Sequence, residues 1–173
     1  MWQLRLEGPG GRAPRVLCVG AHCDDIEIGC GGTLLWLRER WPEVEIRWLV
    51  LSLNDQRRAE TEAGARQLLG EAAAGRVVFG KFRDGFLPYE GAAVKEFFEE
   101  AKRGISPDVI LTHQRSDLHQ DHRIACELTW NTWRDHLVLE YEIPKYDGDL
   151  GRPNAFVPLA PERYKIQFTA SAD

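Results

Sequence analysis

The chain has 173 residues, of which 43% are hydrophobic and 28% charged, a composition typical of one soluble globular domain and not of a disordered chain. Its formal net charge is −5 and its basic residues do not cluster, which argues against nucleic acid or an anionic membrane surface as the main partner. No apolar run is long enough to span a bilayer, and residues 1–7 lack the features of a signal peptide, so we expect a cytoplasmic protein without membrane insertion.

Strand and helix patterns alternate along the chain, which indicates repeated parallel β-α-β units in one α/β domain. The strand patterns cover residues 15–20, 44–53, 76–82, 108–112 and 136–143. The helix patterns cover residues 33–41, 55–69, 91–103 and 122–133. A glycine-rich turn is predicted at residues 29–32, directly before the first helix.

Two short clusters of histidine and aspartate each follow a predicted strand. The first is Ala-His-Cys-Asp-Asp at residues 21–25, and the second is Asp-Leu-His-Gln-Asp-His at residues 117–122. Open parallel α/β sheets bind ligands outside the carboxyl ends of their strands, so two neighbouring strands would bring both clusters together. Two imidazoles, one carboxylate ligand and one spare carboxylate are the groups that a catalytic zinc site requires.

The spacing within each cluster suggests how the roles divide. His22 and Asp25 lie three residues apart in a tight turn, so both can converge on one ion, and Asp24 is left to accept a proton from a metal-bound water. His119 and His122 are also three residues apart. One of these two can complete the metal triad, and the other can stabilise an oxyanion or protonate a leaving nitrogen.

The two clusters resemble the signature motifs of the PIG-L/LmbE-like deacetylases. Residues 21–25, followed by Gly-Cys-Gly-Gly-Thr at 29–33, resemble that family's A-H-P-D-D and G-x-G-G-T pattern, and residues 119–122 resemble its H-P-D-H motif. The resemblance covers roughly residues 13–145. It implies a Rossmann-like three-layer α/β sandwich and an enzyme that removes N-acetyl groups from glucosamine-type sugar conjugates. It also implies zinc as the cofactor, with another divalent metal as the alternative.

Carried over by position, the resemblance implies a role for each polar residue of the motifs. The metal ligands it implies are His22, Asp25 and His122. It implies Asp24 as the general base and His119 as the group that stabilises the oxyanion or acts as an acid. Asp121 is implied to support His119, as carboxylates that hold an imidazole in its working tautomer do.

The chain departs from the family pattern at two places. Cys23 stands where proline is usual, and it is either a neutral replacement or a thiolate ligand, because zinc accepts sulfur. Family members often continue beyond the point that matches residues 166–168. We therefore expect one domain over residues 1–173 with an unusually short C-terminal region. The substrate cleft would then be open, or a partner subunit in a homo-oligomer would complete it.

Other interpretations stay open beside the deacetylase. The glycines at residues 29, 31 and 32 could cradle a phosphate, although their order does not match G-x-G-x-x-G and the acidic cluster would repel it. Arg57, at a helix start, and His113, at a strand end, are candidate substrate contacts; a solvated helix face and a structural hydrogen bond are the alternatives. The short C-terminal region also suggests a metal-retaining but catalytically weak relative that binds a sugar conjugate or a protein.

Overall fold

The computed structural model describes residues 6–52, 55–70 and 75–159, and in these ranges five strands alternate with four helices. The strands are β1 (Arg15–Gly20), β2 (Glu45–Ser52), β3 (Val77–Phe82), β4 (Val109–His113) and β5 (Leu137–Tyr141). The helices are α1 (Asp25–Arg40), α2 (Asp55–Leu69), α3 (Gly91–Gly104) and α4 (Gln120–Thr132). A short 3-10 helix, Leu87–Glu90, leads into α3.

The described strands form one parallel sheet in the order β3-β2-β1-β4-β5. β1 lies in the middle, where Val16 pairs with Ile46 of β2 on one side and with Val109 of β4 on the other. The chain builds outwards from β1 to β3, then crosses to β4 and continues to β5. The strand order therefore reverses between β1 and β4, and open α/β sheets bind ligands in the crevice at such a reversal.

Two helices cover each face of the sheet and produce three layers. Successive side chains of β1 point to opposite faces, so Cys18 joins one core and Leu17 the other. The first core contains Leu34 of α1 and Leu68 of α2, and the second contains Phe98 of α3. The predicted α/β class, the parallel sheet and the three-layer sandwich are confirmed.

Helix α1 begins eight residues before the predicted start, so the predicted glycine-rich turn is wrong. Residues 29–32 lie inside the helix, and the turn before it carries His22, Cys23 and Asp24 instead. Glycine in a helix interior costs about 1 kcal/mol relative to alanine, which is why the sequence pattern favours a turn. Close packing accounts for Gly29, because a Cβ atom built there would lie 2.2 Å from Cδ2 of Tyr141 on β5.

The other predicted elements agree with the structure to within about two residues at each end. Leu53, the last residue of the predicted second strand, lies outside the described residues. Residues 160–173 also lie outside them, and so does the expectation of a short C-terminal region. Among the described residues, no helix is both long enough and apolar enough to cross a bilayer.

We predict that Gly29→Ala destabilises the protein and that Gly31→Ala, in the same helix, does not. The new methyl group at position 29 would overlap the Tyr141 ring, and such overpacking costs about 1–3 kcal/mol. A Cβ at position 31 would meet only Leu68, at an ordinary 3.7 Å, so helix propensity should there stabilise by about 0.5–1 kcal/mol. Urea unfolding of both variants measures the difference, and equal stabilities would contradict this packing.

Candidate active site and metal centre

The two polar clusters meet at the carboxyl edge of the sheet, on either side of the strand reversal. The first cluster follows β1 and runs into α1, whose helix begins at Asp25. The second follows β4 and runs into α4, where His119 is the N-cap residue and its imidazole accepts a hydrogen bond from the backbone N–H of Asp121. Each strand end is thus joined to a helix by a short loop that carries the polar side chains.

The predicted metal ligands converge on one point. Nδ1 of His22 lies 3.2 Å from Nε2 of His122 and 3.4 Å from Oδ2 of Asp25, and Nε2 of His122 lies 3.4 Å from Oδ1 of Asp25. Ligands about 2.0–2.1 Å from a tetrahedral zinc ion are roughly 3.3–3.4 Å apart, so these spacings suit such an ion. All three side chains are buried.

Neighbouring histidines and carboxylates enlarge this donor set. Among the described residues, three overlapping groups place one ligand atom per residue within 4.8 Å of one another. The groups are His22–His119–His122, Asp25–His113–His122 and His22–Asp84–Asp121. His22 and His122 each belong to two groups, so these two imidazoles link the three sets of possible ligands.

The Asp25 carboxylate is the hub of the first cluster. Its Oδ2 accepts a hydrogen bond from the backbone N–H of His22 at 2.7 Å and lies 3.1 Å from Nε2 of His113. Burial raises the pKa of Asp25, but hydrogen bonds from His113, His122 and His22 outweigh it and hold that pKa well below its usual range. The carboxylate is therefore ionised at neutral pH and available to a cation.

The imidazole of His22 has a strongly raised pKa. Burial lowers its pKa, but the carboxylates of Asp121 and Asp25, with a further contribution from Asp84, raise it to about 10. The surrounding carboxylates thus stabilise a positive charge at this position, and a bound divalent cation would satisfy the same field.

Asp117 orients His122, a role that the sequence did not assign to it. Nδ1 of His122 donates to Oδ2 of Asp117 at 2.9 Å when the imidazole is neutral, which leaves the Nε2 lone pair facing Asp25 and His22. Carboxylates commonly hold metal-binding histidines in this way. A signal was present in the sequence, because Asp117 lies in the same strand-end loop five residues before His122.

Asp121 contacts a different histidine from the expected one. Its carboxylate lies 3.3 Å from Nε2 of His22, and only its backbone N–H contacts the imidazole of His119. The same carboxylate accepts hydrogen bonds from the backbone N–H groups of Gly85 and Leu87, at 2.7 and 3.2 Å. Asp121 therefore joins His22 to the turn that follows β3.

His119 and Asp24 are less buried than the three predicted ligands. The ring of His119 stacks on that of His122 with centroids 4.6 Å apart, and because its Nδ1 accepts an N–H, its neutral form carries the proton on Nε2. Burial and the charges of His122 and His22 lower the pKa of His119. Asp24 is exposed in the turn before α1, and its side chain does not cap the helix.

Of the remaining predicted site residues, Arg57 contacts Cys23 and His113 lies against Asp25. Nη1 of Arg57 on α2 donates to Sγ of Cys23 at 3.4 Å, and burial raises the pKa of the Cys23 thiol. This geometry favours the neutral interpretation of Cys23, which is absent from the ligand groups found among the described residues. His113 is 0% exposed and its Nε2 lies 3.1 Å from Oδ2 of Asp25, which favours the structural alternative for this imidazole; contact with a substrate stays a prediction.

The family model described as PIG-L, GlcNAc-PI de-N-acetylase, matches residues 17–133, a span that contains both polar clusters. No curated protein sequence matches the chain.

Several solved structures share the fold. An N,N′-diacetylchitobiose deacetylase from Pyrococcus horikoshii, solved with its inhibitor MPG, is 26% identical with a TM-score of 0.59, over 75% of this chain and 53% of that one. A teicoplanin deacetylase in its zinc-inhibited form is 14% identical with a TM-score of 0.67, over 86% and 79% of the two chains. The 4-carboxy-2-hydroxymuconate hydratase from Pseudomonas putida is 20% identical with a TM-score of 0.53, over 69% and 55%.

At 14% and 20% identity, the similarity to the teicoplanin deacetylase and to the hydratase shows a shared fold alone. The present chain spans about half the length of the chitobiose deacetylase chain that it matches. The family match, by contrast, covers more than half of the present chain.

We predict that Asp121→Asn lowers the free energy of unfolding by about 1–3 kcal/mol, because an amide has one acceptor oxygen for the two N–H groups of Gly85 and Leu87. Asp147→Asn is the control. Asp147 lies in an exposed turn of the segment after β5, and such surface changes stay within about 0.5 kcal/mol. Urea unfolding checks both values; a similar loss in the two variants would contradict the role given to Asp121.

Proposed function

Because the chain belongs to the PIG-L family of GlcNAc-PI de-N-acetylases, we propose that it is a zinc-dependent hydrolase that removes an N-acetyl or similar acyl group from a glucosamine-type sugar conjugate. The observation that carries the proposal is the convergence of His22, Asp25 and His122 at 3.2–3.4 Å beside a spare carboxylate, Asp24. The chitobiose deacetylase, whose substrate is an acetylated amino sugar, supports the choice of substrate class.

His22, Asp25 and His122 are the residues that would hold the cation. Two imidazole nitrogens and one carboxylate are the donor types that catalytic zinc sites use. When bound, a zinc ion supplies Lewis acidity, which lowers the pKa of a water molecule and polarises a carbonyl group. Asp117 and Asp121 fix the orientation of the two imidazoles through the nitrogens that face away from their shared point.

We assign Asp24 as the general base. As an exposed carboxylate beside the ligand turn, it can take the proton of the water that attacks the acetyl carbonyl. The same carboxyl group, now protonated, can pass that proton to the nitrogen of the amide when the C–N bond breaks. The products are acetate and a free amine, so every atom of the water and the amide is accounted for.

His119 is suited to stabilising the oxyanion. Its neutral ring carries a proton on Nε2, as the hydrogen bond to Nδ1 requires, and a neutral N–H can donate to the negative oxygen that develops on the carbonyl. The lowered pKa of His119 keeps this ring neutral at physiological pH. Arg57 and Asp84 lie near the ligand residues and carry exposed polar groups that can contact sugar hydroxyls.

We predict that Asp24→Asn lowers the rate of acetate release from N-acetylated amino sugars by at least about 100-fold, because the amide cannot accept the proton of the attacking water. The variant should still bind one zinc ion, since Asp24 is not a ligand. Asp135→Asn, which changes an exposed carboxylate before β5, is the control and should keep normal turnover. Near-normal release by Asp24→Asn would exclude it as the base, and no release by the wild type on any acetylated sugar would favour a catalytically weak binding relative.

We also predict that zinc raises the thermal unfolding temperature of the metal-free protein. A ligand at 100 times its dissociation constant stabilises the folded state by about 2.7 kcal/mol. The zinc-dependent shift should disappear in His122→Ala, which lacks one ligand. NAD and ATP should produce no shift, and a shift with either nucleotide but not with zinc would support a nucleotide-binding protein instead.

A further inference from the structure

The segment after β5 contacts the second polar cluster through a partly buried lysine. Nζ of Lys145 lies 3.0 Å from Oδ2 of Asp117 and 2.5 Å from Oδ2 of Asp149. The Lys145 side chain is 15% exposed, and those of Asp117 and Asp149 are 1% and 5% exposed. One ammonium group therefore bridges two carboxylates that have little contact with water.

Asp149 attaches the same segment to the backbone of the cluster. Its Oδ2 accepts a hydrogen bond from the backbone N–H of Leu118 at 2.7 Å, and its backbone carbonyl accepts one from the side chain of Gln114 at 3.0 Å. Lys145 and Asp149 thus hold both the side chain of Asp117 and the backbone of the next residue.

Asp117 transmits this contact to His122. Its Oδ1 accepts the backbone N–H of His119 at 2.7 Å, and its Oδ2 contacts both Nδ1 of His122 and Nζ of Lys145. Lys145, Asp117 and His122 therefore form a series of direct polar contacts in space. This series ends at His122, a predicted metal ligand.

From this geometry we propose that Lys145 is a positioning residue, which holds Asp117 so that Nε2 of His122 faces the cation site. The inference rests on the proposed function, because it assumes that His122 binds a metal. The observed contacts of Nζ of Lys145 are with Asp117 and Asp149, so the proposed role is positioning and not catalysis.

Buried charge explains why the lysine is needed. Two carboxylate oxygens lie within 3.0 Å of one Nζ, so removing the ammonium leaves two buried like charges close together. Their repulsion would displace Asp117 or Asp149. Either displacement would loosen the loop that carries His119 and Asp117, whose carboxylate accepts the hydrogen bond from Nδ1 of His122. A mostly buried ion pair contributes little net stability because both ions lose their hydration, and this favours an orienting role for Lys145.

The test is zinc affinity, measured on the metal-free protein by competition with a chromophoric chelator. Lys145→Met should bind zinc about 10–100-fold more weakly than the wild type, the loss typical when a group that orients a ligand is removed. Lys145→Arg, which keeps the charge, should recover most of the affinity.

Asp108→Asn is the matched control for general destabilisation. Asp108 is a mostly buried carboxylate paired with Arg12 and Arg15 at the opposite end of the sheet, so its loss should lower stability and leave zinc affinity unchanged. Circular dichroism establishes that each variant is folded. If Lys145→Met does not fold, Lys145→Gln, which keeps an N–H donor for Asp117, should bind zinc at least about tenfold more weakly.

The outcomes separate the two proposals. Absence of zinc binding by the wild type overturns the proposed function and this inference with it. Zinc binding by the wild type with equal affinity in the folded Lys145 variants overturns the inference alone. An equal loss of affinity in Asp108→Asn and Lys145→Met also overturns it, because the effect would then follow from stability.

Discussion

The site depends on the burial of one ionised carboxylate, that of Asp25, among imidazoles. An isolated buried carboxylate costs several kcal/mol, so Asp25 remains charged only because an N–H of the His22 backbone and three imidazoles surround it. Two of those imidazoles, His113 and His122, come from the far side of the strand reversal. The polar groups of both loops are therefore arranged around a single negative charge.

The order of the strands in the sheet brings the polar residues of the two loops together. His22 and His122 are 100 residues apart in sequence, yet their ring nitrogens lie 3.2 Å apart because β1 and β4 are neighbours. Parallel strands end at the same edge, and open α/β sheets have a crevice where the strand order reverses, here between β1 and β4. If β1 and β4 were not neighbours in the sheet, the same residues would be present but the two polar clusters would not meet.

The supporting groups show how much of the site lies beyond the residues that would touch a metal. Asp117 orients His122, Asp121 joins His22 to the turn after β3, and Lys145 reaches the cluster from the segment after β5. Deacetylases and a hydratase share this fold, so the architecture alone does not determine the reaction. The chemistry follows from which side chains occupy the two strand ends and from how their neighbours hold them.

The sequence by itself determined the alternation of elements, the parallel α/β class and the identity of both polar clusters, because each is a pattern among residues close together in the chain. It did not determine where α1 begins. The space beside Tyr141 admits only a glycine at position 29 of that helix, and this is a contact between residues distant in sequence. The partners of the imidazoles were decided only by the tertiary structure, for the same reason. Asp121 contacts His22, and Lys145 contacts Asp117. These partners depend on how separate loops pack together, which the local spacing of residues does not encode.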